Sequence, residues 1–289
     1  MEVIHGTEAI RKACEEARRA GRTVGFVPTM GALHEGHREL IRTARRRDDV
    51  VVVSIFVNPL QFGEGEDFER YPRPLERDLG VCDAEGVDLV FAPDAGQMLS
   101  SEPQVTVDPG PVGDTFEGAS RPGHFRGVCT IVAKLFGLVG PCTAYFGEKD
   151  AQQVFLVTRM VLDLDMPVTV ARVPTVREPD GLALSSRNAY LSPEERRAAS
   201  CLHRGLEEAK RLVARGEHDI DVLRAAMTAE VRAEPLAELD YAAVVAEESF
   251  VEVVVASPEL KPRAVIAARV GTTRLIDTMA LAPEMPEDG

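Results

Sequence analysis

Apolar residues along the chain follow two rhythms, short continuous runs and stretches with helical spacing, and the two alternate through about residue 175. Residues 7–19 place Ile10, Cys14 and Ala17 on one helical side, with Thr7 as the expected N-cap. Residues 23–27 read as a strand and 38–46 as an amphipathic helix. Residues 50–57 are apolar and flanked by charge, the pattern of a strand buried on both faces of a parallel sheet. A loop follows over 58–65. Residues 67–82 are polar, with Pro72 and Pro74 marking a turn before a short helix. Strands are expected at 88–92 and 105–107, the latter entering an Asp108-Pro109-Gly110 turn. A helix at 127–138, a strand at 143–146, a helix at 151–162 and a strand at 168–173 complete the series.

This order predicts an α/β fold, a doubly wound parallel, Rossmann-like sheet over residues 1–175. In such sheets ligands bind beyond the carboxyl ends of the strands. Past residue 176 the composition shifts. Charged helices at 193–214 and 220–232 and strands at 241–246, 251–256 and 264–270 predict a second, smaller α+β domain over 176–289. Residues from 283 on read as a disordered tail.

Polar motifs fall where strands end. Val27-Pro28-Thr29-Met30-Gly31-Ala32-Leu33-His34-Glu35-Gly36-His37 turns from strand into helix. A helix start carries N–H groups without intrahelical partners and a partial positive charge. His34 and His37 share one face of its first turn, and glycine admits close backbone approach, so the corner suits phosphate. Two such histidines also fit an ordinary helix face. Zinc is disfavoured, because H-x-x-H lacks the spacing of H-E-x-x-H and no further ligand cluster stands out; no metal site is expected.

Four further stretches carry polar groups. Ser54-Ile55-Phe56-Val57-Asn58-Pro59-Leu60-Gln61-Phe62-Gly63 delivers two amides, able to bind hydroxyl or carboxylate groups, although Asn-Pro is also simply a turn start. Arg121-Pro122-Gly123-His124-Phe125-Arg126-Gly127 is a local anion site or a solvated basic turn. Phe146-Gly147-Glu148-Lys149-Asp150-Ala151-Gln152-Gln153 opens a helix. There Lys149 suits a phosphoryl oxygen, Asp150 suits ribose hydroxyls or a helix cap, and Gln153 lies one turn on. Val176-Arg177-Glu178-Pro179-Asp180-Gly181-Leu182-Ala183-Leu184-Ser185-Ser186-Arg187-Asn188 is a triphosphate clamp or a linker before the helix start at Ser192. No nucleophilic Cys or Ser with its own base is evident, so the chemistry suggested is charge stabilisation of a polyphosphate.

Composition narrows the partners. The formal net charge is −14, Trp is absent and aromatics make up 5%, which argues against nucleic acid. The five cysteines form no CxxC pair and read as reduced thiols. No secretory pattern opens the chain, and no apolar run reaches the roughly 18 residues of a membrane span. The expectation is a soluble, cytoplasmic protein with no nucleic-acid or membrane partner.

The stretches Pro28 to His37, Phe56 to Phe62, Arg121 to Val128, Gly147 to Asp150 and Ser185 to Asn188 together resemble, in family order, the pantoate–β-alanine ligase (pantothenate synthetase) family of the nucleotidylyltransferase and class I aminoacyl-tRNA synthetase-like superfamily. The resemblance implies a homodimer and ATP-dependent, magnesium-assisted condensation of pantoate with β-alanine through pantoyl adenylate. It implies that Met30, Gly31, Ala32, Leu33, His34, Glu35, Gly36 and His37 line the ATP site, with His34 and His37 on the phosphates and His37 as the family's proton donor. It implies ATP contacts from Gly147, Glu148, Lys149, Asp150, Val176, Leu184, Ser185, Ser186 and Arg187, with Lys149 stabilising charge at the α-phosphate. Gln61, Gln153 and Asn58 would hold pantoate, Gln61 would meet β-alanine, Arg121 would meet the β-alanine carboxylate or the phosphates, and Asp78 would be an outer partner of the metal. Two departures stand out. Leu184 replaces the usual methionine, nearly conserving volume, and Ala151 replaces a common aromatic. The competing readings are a nucleotidylyltransferase for another acid, separable by a substrate panel, and a nucleotide sensor, which would bind ATP without turnover.

Overall fold

The computed structural model describes residues 1–99, 101 and 103–281; the expected disordered tail lies outside them. The chain divides into two compact units, Met1–Glu148 with Gln152–Pro174, and Lys149–Ala151 with the residues from Thr175 on.

The first unit is built on a six-stranded sheet. Its strands are β1 (Glu2–Ile4), β2 (Val24–Thr29), β3 (Val50–Ile55), β4 (Leu89–Phe91), β5 (Cys142–Gly147) and β6 (Val168–Val173). They pair in parallel in the order β1-β4-β3-β2-β5-β6. The helices are α1 (Thr7–Arg19), α2 (Glu35–Arg47), α3 (Leu75–Ala84), the short α4 (Ala95–Met98) and α5 (Glu117–Ser120), α6 (His124–Val139) and α7 (Ala151–Asp163). Val50 to Val53 are all within 2% of full burial, because the sheet is covered on both faces. Val51 and Val53 pack with Leu40, Ile41 and Ala44 of α2 and Val81 of α3. On the other face Phe26 meets Phe136 of α6 edge-on, with ring centroids 6.4 Å apart. Strand order reverses between β2 and β5, which makes their carboxyl ends the topological switch point, where such sheets bind ligands.

The second unit carries a three-stranded antiparallel sheet, β7 (Ala237–Ala246), β8 (Pro262–Val270) and β9 (Thr273–Ala280), in that order. Helices α8 (Pro193–Ala198), α9 (Cys201–Ala214) and α10 (Ile220–Arg232) accompany it. Leu202 and Leu206 of α9 and Leu223 and Met227 of α10 bury against Val244 and Ile266.

Several local expectations are corrected. Residues 105–107 form no strand: Val105 is 85% exposed, and the Val107 N–H goes to Thr130 Oγ1 on α6 at 3.0 Å rather than to a neighbouring strand. Residues 251–256 make only isolated bridges, Val245 with Glu252 and Asp219 with Val255. Val251, Val254 and Val255 there are 57%, 89% and 48% exposed, and only Val253 and Ala256 reach the core, so the apolar run does not bury as a strand would. The helix expected at 193–214 breaks at Ala199 and Ser200, where Ser200 Oγ bonds back to the Arg197 carbonyl at 2.8 Å and competes with the helical ladder. Gly6, not Thr7, is the N-cap of α1. Helix α6 begins one turn earlier than expected, after Gly123 at φ +82°.

Candidate active site

At the end of β2 the chain turns sharply, with Gly31 at φ +83° and Ala32 at φ +51°. Thr29 Oγ1 accepts the Gly31 N–H at 3.1 Å and donates to the Ser54 carbonyl of β3 at 2.7 Å. Asp78, from the first turn of α3 and only 1% exposed, accepts the Ala32 and Leu33 N–H groups at 2.8 Å each. Burial pushes its carboxyl above the ordinary range, against the lowering effect of those two bonds. His34 is the N-cap of α2, and the two histidines form a reciprocal capping box. His34 Nδ1 accepts from Gly36 N–H at 3.2 Å and His37 Nδ1 accepts from His34 N–H at 3.3 Å. Acceptance at Nδ1 assigns the proton of each neutral ring to Nε2. The rings lie 4.1 Å apart, centroid to centroid. The N–H groups of Gly31, Ala32, Leu33, His34 and Gly36 are thus engaged within the corner.

The second amide-bearing stretch lies beside the first. Pro59–Gln61 forms a 3-10 turn whose N-cap is Asn58. Asn58, 1% exposed, accepts from Leu60 N–H and donates to Gln61 Oε1 at 3.0 Å and to the Gly127 carbonyl at 3.1 Å. Gln61 Nε2 in turn reaches Met30 Sδ at 3.0 Å, which joins the turn to the histidine corner. Gly127 makes this packing possible, since a Cβ there would lie 2.0 Å from the Leu60 carbonyl oxygen. Asn58 therefore positions Gln61.

Arg121 is equally occupied. Its guanidinium pairs with Glu66 at 2.9 and 2.6 Å, donates to the Gln61 carbonyl at 3.2 Å and meets His124 Nε2 at 3.0 Å. His124 Nδ1 lies 2.8 Å from the same carbonyl. Burial first, and then the charge of Arg121, push the His124 imidazole down to about 4. The neutral ring thus accepts from Arg121 and donates to Gln61. Glu66 lies outside every motif, and His124, expected as part of a local anion site, is instead a support for Gln61; their partners lie 55 and 63 residues away in sequence.

Gly147 ends β5, and Glu148–Asp150 is a 3-10 turn. Lys149 Nζ donates to Asp150 Oδ1 at 3.1 Å. On the first turn of α7, Gln153 is half-buried. Its neighbour Gln152 is buried and holds the Val112 and Thr115 carbonyls and the Glu117 N–H.

Within the second unit, residues 176–184 double back on themselves. Leu184 N–H donates to the Val176 carbonyl at 3.0 Å, and Arg177 bridges to Ala183. Arg177 grips the buried Asp277 of β9 at 2.6 and 2.9 Å and also donates to the Gly181 carbonyl. Arg196 holds Asp180 at 2.7 and 3.0 Å. Ser185 then caps the 3-10 turn Ser186–Tyr190, which carries Arg187.

A family model described as pantoate–beta-alanine ligase matches residues 2–280. The chain belongs to this family. A pantothenate synthetase of Roseiflexus sp. (strain RS-1) is 53% identical over 259 residues, 90% of this chain and 92% of the relative. One from Brucella canis is 49% identical over 290 residues, covering 99% and 98% of the two chains. A crystal structure of pantothenate synthetase from Thermus thermophilus has a TM-score of 0.91 at 46% identity, covering 98% of this chain and 100% of that one. The pantoate–β-alanine ligase of Francisella tularensis, complexed with beta-gamma ATP and β-alanine, has a TM-score of 0.80 at 31% identity, covering 97% and 98%. Ligation of pantoate to β-alanine is therefore the activity of this chain. Among the described residues no three His, Cys, Asp or Glu side chains gather into a metal cage, and no helix is long and apolar enough to cross a membrane.

Proposed function

We propose that the ligation runs in two ATP-driven steps through pantoyl adenylate. A pantoate carboxylate oxygen attacks the α-phosphorus of ATP, the bond to the β-phosphate bridge breaks, and pyrophosphate leaves. The β-alanine amine then attacks the acyl carbon, loses a proton, and the acyl–oxygen bond breaks to release AMP and pantothenate. Activation is needed because oxide is a very poor leaving group from a carboxylate and AMP is a good one.

The observation that carries this reading is the histidine capping box at the switch point, which commits both Nδ1 atoms to the backbone and both protons to Nε2. Two imidazole donors at a helix start are suited to the negative charge that grows on a departing pyrophosphate. In this reading Met30 to His37, Gly147 to Asp150, Val176 and Leu184 to Arg187 contact ATP, and Lys149 stabilises charge at the α-phosphate. Gln61 and Gln153 hold pantoate, with Asn58 fixing Gln61. Gln61 also meets β-alanine, and Arg121 steadies that side through the Gln61 carbonyl.

Residues 1–175 are read as the nucleotide- and pantoate-binding domain and those from 176 on as a smaller lid. Magnesium arrives as part of the substrate, bridging ATP phosphate oxygens. A cytoplasmic homodimer completes the reading; five cysteines that are all free thiols support the cytoplasmic part of it. The experiment is isotope exchange: with pantoate, magnesium and no β-alanine, labelled pyrophosphate should enter ATP, and AMP should accumulate once β-alanine is added. Exchange that does not require pantoate would overturn the assignment.

A further inference from the structure

The histidine corner rests on a side chain from a different element, α3. We propose that Asp78 is a positioning residue: its carboxylate holds the Gly31-Ala32-Leu33 turn in the conformation that presents His34 and His37 to the nucleotide. The inference rests on the assignment of Met30 to His37 to ATP.

Three observations converge on it. Both carboxylate oxygens are engaged with backbone donors, Oδ2 with Ala32 N–H and Oδ1 with Leu33 N–H, each at 2.8 Å. Bonds from N–H groups to an ionised carboxylate are among the stronger hydrogen bonds available to a protein. The turn they hold is one the chain would not adopt unaided. Gly31 sits at φ +83° and Ala32, a residue with a Cβ, at φ +51°, a region that side chains other than glycine occupy only under constraint. The carboxylate is also packed directly beneath the turn, for a Cβ on Gly31 would lie 2.9 Å from Asp78 Oδ2 and 3.0 Å from Ile55 Cγ2.

The next residue after the clamped pair is His34, the N-cap of α2. Release of the turn therefore moves the residue that both caps the helix and orients His37. At 1% exposure the Asp78 carboxylate has no open face for a hydrated cation. Its geometry is that of an anchor, in place of the outer metal partner that the resemblance implies.

The test uses Asp78→Asn in the full chain, since an asparagine offers one acceptor to two N–H donors. Pantoate-dependent pyrophosphate exchange should fall by about 100-fold, the penalty of a misplaced catalytic group. The KM for ATP should rise, while the KM for pantoate and the magnesium concentration for half-maximal rate stay at wild-type values. Kinetic constants within twofold of wild type in a folded variant would overturn the proposal, and so would a raised magnesium requirement at unchanged KM for ATP. Should the variant not fold, amide hydrogen exchange in the wild-type chain decides. Slow exchange at Ala32 and Leu33 supports the clamp and fast exchange refutes it. Absence of pantoate-dependent exchange in the wild-type protein would instead remove the adenylation reading, and the amide measurement would still judge the clamp.

Discussion

His37 Nδ1 accepts the backbone N–H of His34 at 3.3 Å, closing a capping box in which both side chains are imidazoles. Helices are more often capped by hydroxyl, amide or carboxylate oxygens. Here the nitrogen that holds the helix cannot also exchange protons with a ligand, so any transfer from His37 runs through Nε2. The ring centroids lie 4.1 Å apart, so a substitution at either histidine also changes the surroundings of the other.

The cap and the chemistry can be separated at His37. His37→Ala should lower pyrophosphate exchange by at least about 100-fold and stability by about 1 kcal/mol. His37→Gln retains an acceptor at the third helical position, the usual capping-box residue there. It should regain the melting temperature without the exchange rate. A glutamine variant as active as wild type would reduce His37 to a structural cap.

Lys149→Ala should lower adenylation by about two orders of magnitude, the usual loss on removing one charge-stabilising donor. Exchange kinetics at saturating ATP provide the measure. Near-normal exchange in the variant would remove Lys149 from the first step.

Gly127→Ala would drive a methyl group to 2.0 Å from the Leu60 carbonyl oxygen and 2.7 Å from the Gln61 nitrogen. Because both contacts are backbone, relief must come from moving the turn that carries Gln61. We expect a loss of about 1–3 kcal/mol in urea denaturation together with a raised KM for pantoate. An unchanged KM would show that Gln61 does not set pantoate affinity.

His124 makes stability depend on pH. Folding depresses its pKa from 6.5 to about 4, so the folded chain refuses a proton that the unfolded chain takes up. Its contribution is fully present above pH 6.5 and is lost as pH falls toward 4, by up to about 3 kcal/mol. Urea midpoints at pH 7 and pH 4.5 should separate further for the wild type than for His124→Gln. Equal separations would count against a neutral, buried imidazole.

Local pattern carried much of the fold. Helix α10 and strand β6 match their expected bounds, 220–232 and 168–173, because periodicity and burial agree there. Strand β9 is not legible in the sequence because its buried residues include Thr273, Asp277 and Thr278, which look like loop residues. The burial of Asp277 depends on Arg177, 100 residues away. Strand β1 has only three residues, too few to show a period. At the site, residue types were legible and their engagements were not. Nothing near Arg121 in sequence announces Glu66, and nothing near Ala32 announces Asp78. Those bonds join elements that only the folded sheet brings together.

The two-step route is tested most directly by following oxygen. With pantoate labelled by oxygen-18 in its carboxylate, attack on the α-phosphorus leaves one labelled oxygen on that phosphorus when the amine displaces AMP. The expected products are AMP carrying a single heavy oxygen and pyrophosphate carrying none. Unlabelled AMP, or label in pyrophosphate, would contradict the route through pantoyl adenylate.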